Sequence, residues 1–125
     1  MNFSKIYNNK WQSPIVNDDE GDDEVKEPQD KRDELMMLNK RLEKMFFEKR
    51  TVYLWGVVDD KSAREVTTKL LLLEADKPGE PIRFYINSPG GVVTSGMVIY
   101  DTMKMISSPV HTICMGLAAS MGSIL

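Results

Sequence analysis

The sequence predicts an α/β protein built on a parallel β-sheet. Three short stretches rich in β-branched and aromatic residues, typical of strands, alternate along residues 51–125 with stretches whose apolar residues recur at helical spacing. Glycine-bearing turns follow the second and the third of these stretches. Alternating strands and helices are typical of a parallel sheet, and the functional sites of such proteins lie at the carboxyl ends of the strands.

Composition agrees with a globular domain and argues against several functions. Of the 125 residues, 42% are hydrophobic and 28% are charged. The net charge of −3 lacks the basic excess that nucleic-acid binding requires, and no apolar run approaches the roughly 18 residues of a membrane span. The single cysteine, Cys114, cannot form an internal disulfide, and its place in an apolar run predicts a buried strand residue. We therefore expect a cytoplasmic protein that contacts neither nucleic acid nor membrane. We also expect it to use no metal and no cofactor.

Residues 1–29 are predicted to be a disordered acidic extension. Residues 18–34 carry ten acidic and three basic residues, and residues 18–24 include no apolar side chain that could offset the entropy of ordering. Trp11 and the apolar residues ahead of it form a candidate motif for docking on a partner, although isolated apolar residues are common in polar tails.

Residues 30–49 are predicted to form an amphipathic helix that packs on the core, with order beginning near Lys31. Basic residues at its end, Lys49 and Arg50, suit the helix dipole. Four apolar residues recur at the spacing of one helical face, namely Leu35, Leu38, Leu42 and Met45.

The first strand and the second helix follow. Residues 51–58 are rich in β-branched and aromatic side chains, which predicts a strand. Residues 62–74 predict a helix in which Ser62 is the N-cap and Glu65 completes a capping box. The inner face of this helix is predicted to consist of Ala63, Val66, Leu70 and Leu73.

Two further strand-helix units complete the pattern. Residues 82–86 and 110–115 predict the second and third strands, and residues 98–106 predict the helix between them. Residues 116–119 form a small-residue turn, after which Ser120 begins another helix.

The turn at Ser120 is a candidate catalytic site. A serine between a strand and a helix, flanked by small residues, is accessible to a substrate carbonyl. Backbone N–H groups at the start of a helix lack partners and stabilise negative charge, and the N–H of Met121 is our first candidate donor. From this motif alone, Ser120 could equally be an ordinary N-cap.

The turn after the second strand is a candidate for the rest of the site. Gly90 and Gly91 let the main chain approach a ligand closely, and the Gly91 N–H is our second candidate donor. An extended segment after Gly91 could pair with a peptide as an added strand, with Gly90, Val92 and Val93 as binding residues. A Gly-Gly turn could equally be a tight connection between a strand and a helix.

Three segments resemble, in order and spacing, the motifs of the proteolytic subunit of the ATP-dependent Clp protease. They are YINSPGG at 85–91, IYDTM at 99–103 and TICMGLAASMG at 112–122. The likeness extends upstream through YLWGVVDD at 53–60, so that residues 50–125 resemble the N-terminal half of the family's domain.

This resemblance implies a fold and a function. The fold is expected to be the N-terminal half of the crotonase-like superhelix of repeated strand-helix units. Ser120 is implied as the nucleophile of a serine endopeptidase, and the N–H groups of Gly91 and Met121 as its oxyanion hole. The implied assembly is heptameric rings of this or paralogous subunits, stacked into a tetradecamer. An AAA+ unfoldase of the ClpX, ClpA or ClpC type would deliver unfolded polypeptides to them.

The sequence also departs from the family it resembles. The family's catalytic histidine and aspartate lie downstream of the nucleophile, whereas the only histidine here, His111, precedes Ser120 and is not expected to serve as the base. An unassisted serine is a weak nucleophile, so we expect residues 1–125 alone to be nearly inactive. Because Ile124 and Leu125 lie within an apolar stretch, we expect the sequence to be truncated. The acidic extension resembles that of a divergent paralogue.

Two alternatives remain. The chain could be a catalytically incomplete fragment or paralogue with a structural or regulatory role in mixed rings, which the missing histidine and aspartate favour. It could also use the same fold as an acyl-CoA enzyme that holds a thioester enolate. That chemistry normally draws on glutamates and needs no serine at the turn. The presence of Ser120 and the lack of any glutamate after Glu80 in this sequence therefore disfavour this alternative.

Overall fold

A computed structural model describes residues 28–125, so the predicted acidic extension and the Trp11 motif lie outside the described residues. The predicted α/β class with a parallel sheet is confirmed. The elements, in chain order, are α1 Gln29–Glu48, β1 Thr51–Trp55, α2 Asp60–Asp76, β2 Ile82–Ser88, α3 Val93–Met105, β3 Val110–Ala118 and α4 Met121–Ile124.

The three strands form one sheet in the order β1-β2-β3, with β2 in the centre and all strands parallel. Parallel pairing brings the carboxyl ends of neighbouring strands to the same edge of the sheet. Side chains on one face of β1 and β2 pack against α2 and α3, and the fully buried core includes Val52, Leu54, Phe84, Leu70, Leu73 and Ile99.

Helix α2 has the predicted inner face, since Ala63, Val66, Leu70 and Leu73 are all buried. Its predicted N-cap is wrong, because the helix begins earlier and Asp59 is the cap. The extended Asp59 accepts a hydrogen bond from the Ser62 N–H (2.8 Å), and Ser62 Oγ accepts one from the Asp59 N–H (2.9 Å). Ser62 is therefore the second partner of the capping box.

Helix α1 begins at Gln29, close to the predicted start, but the predicted packing of its apolar face is wrong. Buried residues are absent from α1, and Leu35 keeps 51% of its surface exposed. The helix meets the sheet near its C-terminal end, where the Phe46 ring lies 4.9 Å from the Tyr53 ring, which in turn stacks on Tyr85 at 5.1 Å. Helical periodicity predicted which residues share a face, but not whether that face is covered.

Strand β3 is longer than predicted and lies at the edge of the sheet, paired with β2. Cys114 stands opposite Ile86 but is exposed, so its predicted burial is wrong. The register shifts beyond this pair, because Ser88 lies opposite Ala118 and β3 carries two more residues than β2 in between. Gly116 lies within this irregularity at φ +82°. Irregular pairing of this kind changes the direction of the strand, here at the end of β3.

Candidate active site

The two predicted turns meet at the carboxyl edge of the sheet. Strands β2 and β3 end beside each other, and the Ala119 N–H donates to the Ser88 carbonyl at 3.0 Å. The turn containing Gly90 follows Ser88, and the turn containing Ser120 follows Ala119. Parallel pairing of β2 and β3 thus places the two turns side by side.

Ser120 adopts a strained conformation between β3 and α4. Its φ of 50° and ψ of −126° lie outside the usual regions for a residue with a side chain. The residue is exposed, and its side chain makes no capping hydrogen bond to α4. An ordinary N-cap serine has an extended backbone and a bonded hydroxyl. The geometry instead resembles the sharp strand-to-helix turn that presents a nucleophile.

Gly90 packs directly against this turn. At φ +95°, a Cβ on Gly90 would stand 2.8 Å from Ser120 Cβ and 2.9 Å from Met121 N. Heavy atoms cannot approach that closely, so glycine is required at this position. The absence of a side chain leaves the Gly90 backbone adjacent to both Ser120 and Met121.

The orientation of Gly91 follows from its pairing with Val58. The Val58 N–H donates to the Gly90 carbonyl (2.9 Å), and the Val92 N–H donates to the Val58 carbonyl (2.8 Å). In a parallel bridge the residue between these two bonds directs its own N–H and C=O away from the partner strand. The Gly91 N–H therefore points away from Val58 and has no acceptor among residues 28–125.

The Met121 N–H also lacks an acceptor within the described part of the chain. Met121 is the first residue of α4, whose next two N–H groups, of Gly122 and Ser123, bond to the carbonyls of Ala119 and Ser120. The Met121 side chain is buried, with 4% exposed, and lies against Gly96. Both predicted donors are thus unpaired amides at the two adjoining turns.

The predicted substrate strand is only partly available. Val93 begins α3, so its predicted extended backbone is wrong. Val92 is extended, but its N–H bonds Val58 and its carbonyl accepts from the Gly96 N–H at 3.1 Å. The Gly90 N–H donates to Ser88 Oγ and the Gly90 carbonyl accepts from Val58. The N–H and carbonyl groups of Gly90 and Val92 are therefore already bonded, whereas the Gly91 N–H is not.

Ser88 is a site residue that sequence reasoning missed. Its hydroxyl accepts from the Gly90 N–H (3.1 Å), its carbonyl accepts from Ala119, and the side chain is fully buried. Gly122 also packs on it, because a Cβ there would stand 3.0 Å from the Ser88 carbonyl oxygen. Ser88 thereby fastens the two turns together. A serine two residues ahead of a glycine is a signal for such a turn.

His111 lies at the opposite end of β3 from Ser120. It is exposed and stands opposite Arg83 near the start of β2. At about 3.3 Å per residue, the length of β3 separates the two side chains by roughly 20 Å or more. His111 therefore cannot hydrogen-bond to Ser120 of the same chain.

Ionisable groups with a shifted pKa lie away from Ser120 in the described residues. Hydrogen bonding from the Ser62 N–H lowers the pKa of Asp59, which lies at the start of α2. Hydrogen bonds from Ser107 lower the pKa of Glu74, near the end of the same helix.

Residues 28–125 contain no group of three histidine, cysteine, aspartate or glutamate side chains that could hold a metal ion. They also include no helix with the length and apolarity needed to cross a bilayer.

These features define a class of protein: a parallel α/β fold with a strained serine beside two unpaired backbone amides at the carboxyl edge of the sheet. The family model for Clp protease matches residues 33–125, which is more than half of the chain. The chain therefore belongs to the Clp protease family, whose members are peptide-bond hydrolases that act as oligomeric proteolytic subunits. The predicted resemblance is confirmed, and the helices and small parallel sheet are consistent with part of the crotonase-like fold.

Proposed function

We propose that this chain belongs to a serine endopeptidase in which Ser120 is the nucleophile. The observation that carries the proposal is the strained Ser120 turn, packed against Gly90 and flanked by the unpaired Gly91 and Met121 amides. Such amides stabilise the negative oxygen that forms when a hydroxyl attacks a carbonyl. Family membership supports peptide bonds as the substrate.

The proposed reaction passes through an acyl-enzyme. Ser120 Oγ bonds to the substrate carbonyl carbon while its proton passes to a general base, and the carbonyl oxygen accepts from Gly91 and Met121. The amide bond then breaks, the leaving amine takes up the proton, and water later hydrolyses the ester. His111 cannot supply this base within one chain, because it lies at the far end of β3.

We also propose unfolded polypeptides as substrates, delivered in the cytoplasm by an ATP-dependent AAA+ unfoldase. Contacts through the Gly91 main chain and the exposed Val92 and Val93 side chains would be tolerant of sequence. We further propose assembly into stacked heptameric rings. Large exposed apolar side chains on α1 and β3 support association with other chains, because proteins normally cover such surfaces. They include Leu35, Met36, Met37, Met115 and Leu117.

A second candidate is a structural or regulatory subunit in mixed rings. The observation that favours it is the position of His111 at the far end of β3, which leaves Ser120 without a histidine partner in the described residues. Such a subunit would assemble with an active paralogue without itself forming an acyl-enzyme.

Peptide hydrolysis distinguishes the two candidates. The full protein is expressed from its own gene, and cleavage of a fluorogenic peptide and of unfolded casein is measured for wild type, Ser120→Ala and Thr94→Ala. Thr94 is an exposed hydroxyl residue on α3 and serves as the control. Peptidase function predicts that only Ser120→Ala abolishes cleavage. Equal rates for wild type and Ser120→Ala would leave the structural candidate.

A further inference from the structure

A buried serine links the first turns of α2 and α3. Ser95 keeps only 2% of its surface exposed, and its hydroxyl donates to Asp60 Oδ1 at 2.5 Å. This is the only side-chain hydrogen bond between the two helices within residues 28–125. Buried hydroxyls need a partner, and a carboxylate is a strong acceptor. The contact therefore fixes the start of α3 relative to the start of α2.

The first turn of α3 adjoins both halves of the candidate oxyanion hole. Gly91 lies one residue ahead of Val92, the N-cap of α3. Gly96, next to Ser95, packs against the Met121 side chain so closely that a Cβ would overlap Met121 Cγ. A shift of this turn would therefore move Gly91 relative to Met121, the two residues whose amides flank Ser120.

Local hydrogen bonds fix the position of Asp60 at the start of α2. Asp60 directly follows Asp59, whose capping box with Ser62 fixes the start of α2. Val58, two residues before Asp60, bonds to both Gly90 and Val92. Helix α3 has no comparable cap, because Val92 offers no side-chain acceptor. The Asp60 carboxylate lies near the N-terminus of both helices, where a negative charge is stabilised by the helix dipoles. Its hydrogen bond to Ser95 therefore holds the uncapped α3 against the capped α2.

We propose that Asp60 and Ser95 form a positioning pair that sets the Gly91 N–H at the distance from Ser120 and Met121 required for oxyanion binding. The inference rests on the proposed function, because it concerns the same site. Neither residue touches the reacting atoms. Both act through residues 90–92, which pair with Val58 and lead into α3. A displacement of the order of 1 Å in such a segment costs on the order of a hundredfold in rate.

The test uses reaction of the full protein with a fluorophosphonate. Ser120 Oγ bonds to phosphorus as its proton passes to the general base, fluoride leaves, and the phosphoryl oxygen occupies the oxyanion position. The maximal labelling rate kinact and the half-saturating concentration KI are measured separately. We expect Ser95→Ala and Asp60→Ala each to lower kinact on the order of tenfold and to leave KI nearly unchanged, because donor placement matters most in the transition state.

Three further variants make the test specific. Asp60→Asn keeps an acceptor for the Ser95 hydroxyl and should retain most of the wild-type kinact. The Ser95→Ala/Asp60→Ala double variant should be no slower than either single variant, because both remove the same contact. Thr94→Ala removes an exposed hydroxyl from the same turn and should label like wild type. Asp60 is exposed, so its variants keep the test decisive if Ser95→Ala fails to fold.

Two results would overturn the inference. Wild-type kinact in Ser95→Ala and Asp60→Ala, with only the melting temperature lowered, would show that the pair is purely structural. Additive losses in the double variant would show that the two residues act separately. In both cases Ser120 would still be labelled and the proposed function would stand. A wild-type protein without any label on Ser120 would instead contradict the proposed function, and this inference with it.

Discussion

The backbone of Gly90 lies against the side of Ser120, since a Cβ on Gly90 would stand 2.8 Å from Ser120 Cβ. The same position lies close to Met121 N, at 2.9 Å. Gly90 is also held in place, because its N–H and its carbonyl bond to Ser88 and Val58. Neither turn can move aside for a side chain without breaking these contacts.

Gly90→Ala should therefore disable Ser120 more than it destabilises the fold. We expect labelling by a fluorophosphonate to fall by on the order of a hundredfold or more, comparable to the loss of an oxyanion donor. Gly79→Ala is the matched control. Gly79 also has a positive φ, +81°, but a Cβ there meets nothing within 4 Å. Gly79→Ala should label like wild type, and equal labelling of the two variants would contradict the role assigned to the Gly90 contact.

His111→Ala should leave the chemistry at Ser120 intact. His111 is exposed and separated from Ser120 by the length of β3, so we expect peptide cleavage and labelling within about twofold of wild type, as for an ordinary surface substitution. The rates are measured between pH 6 and 9. A loss of activity together with a changed pH profile would identify His111 as a base and would require a neighbouring copy to supply it.

Arg50 joins three separate segments through one guanidinium group. It donates to the carbonyls of Leu73 (2.9 Å), Glu80 (3.0 Å) and Pro81 (3.2 Å), and to Ser108 Oγ (3.2 Å). A lysine keeps the charge but cannot reproduce this planar set of donors. We expect Arg50→Lys to lower the free energy of unfolding by about 1–3 kcal/mol. Arg83→Lys, at an exposed residue of β2, should have little effect. Equal urea midpoints would contradict this account.

Glu74 makes stability depend on pH in the acid range. The Ser107 hydroxyl, followed by Ser108, lowers the pKa of Glu74 to about 2 from an ordinary 4.5. Since the folded state favours the ionised form, the stabilisation is complete above pH 4.5 and is lost as the pH falls towards 2. The difference in melting temperature between wild type and Glu74→Gln should therefore shrink across this window. Parallel profiles for the two proteins would refute the assignment.

Local patterns predicted the elements and the two turns of the site. Ala63, Val66, Leu70 and Leu73 were identified as an inner face because helical spacing reports burial directly when a sheet covers the helix. Gly90 and Gly91, in the turn after β2, are predicted site residues because few residues other than glycine let the main chain approach a ligand so closely. Membership of the family followed from longer motifs, which the family match confirms.

Contacts between distant segments could not be predicted. Ser95 lies ahead of the helix predicted over residues 98–106, and only the packing of α3 beside α2 brings it to Asp60. Val58 belongs to the strand predicted over residues 51–58, whereas in the structure it pairs with Gly91 and determines which way the Gly91 N–H points. The exposure of Leu35 was missed for the same reason, because periodicity identifies an apolar face but not what covers it.

The most direct test of the central claim is to locate the covalent adduct. The protein expressed from its own gene is treated with a fluorophosphonate or a β-lactone, and the modified residue is identified by peptide mass spectrometry, with Ser120→Ala beside it. The account predicts one adduct on Ser120 that is lost in the variant. An unmodified Ser120 in the assembled protein, or an adduct that persists in Ser120→Ala, would contradict it.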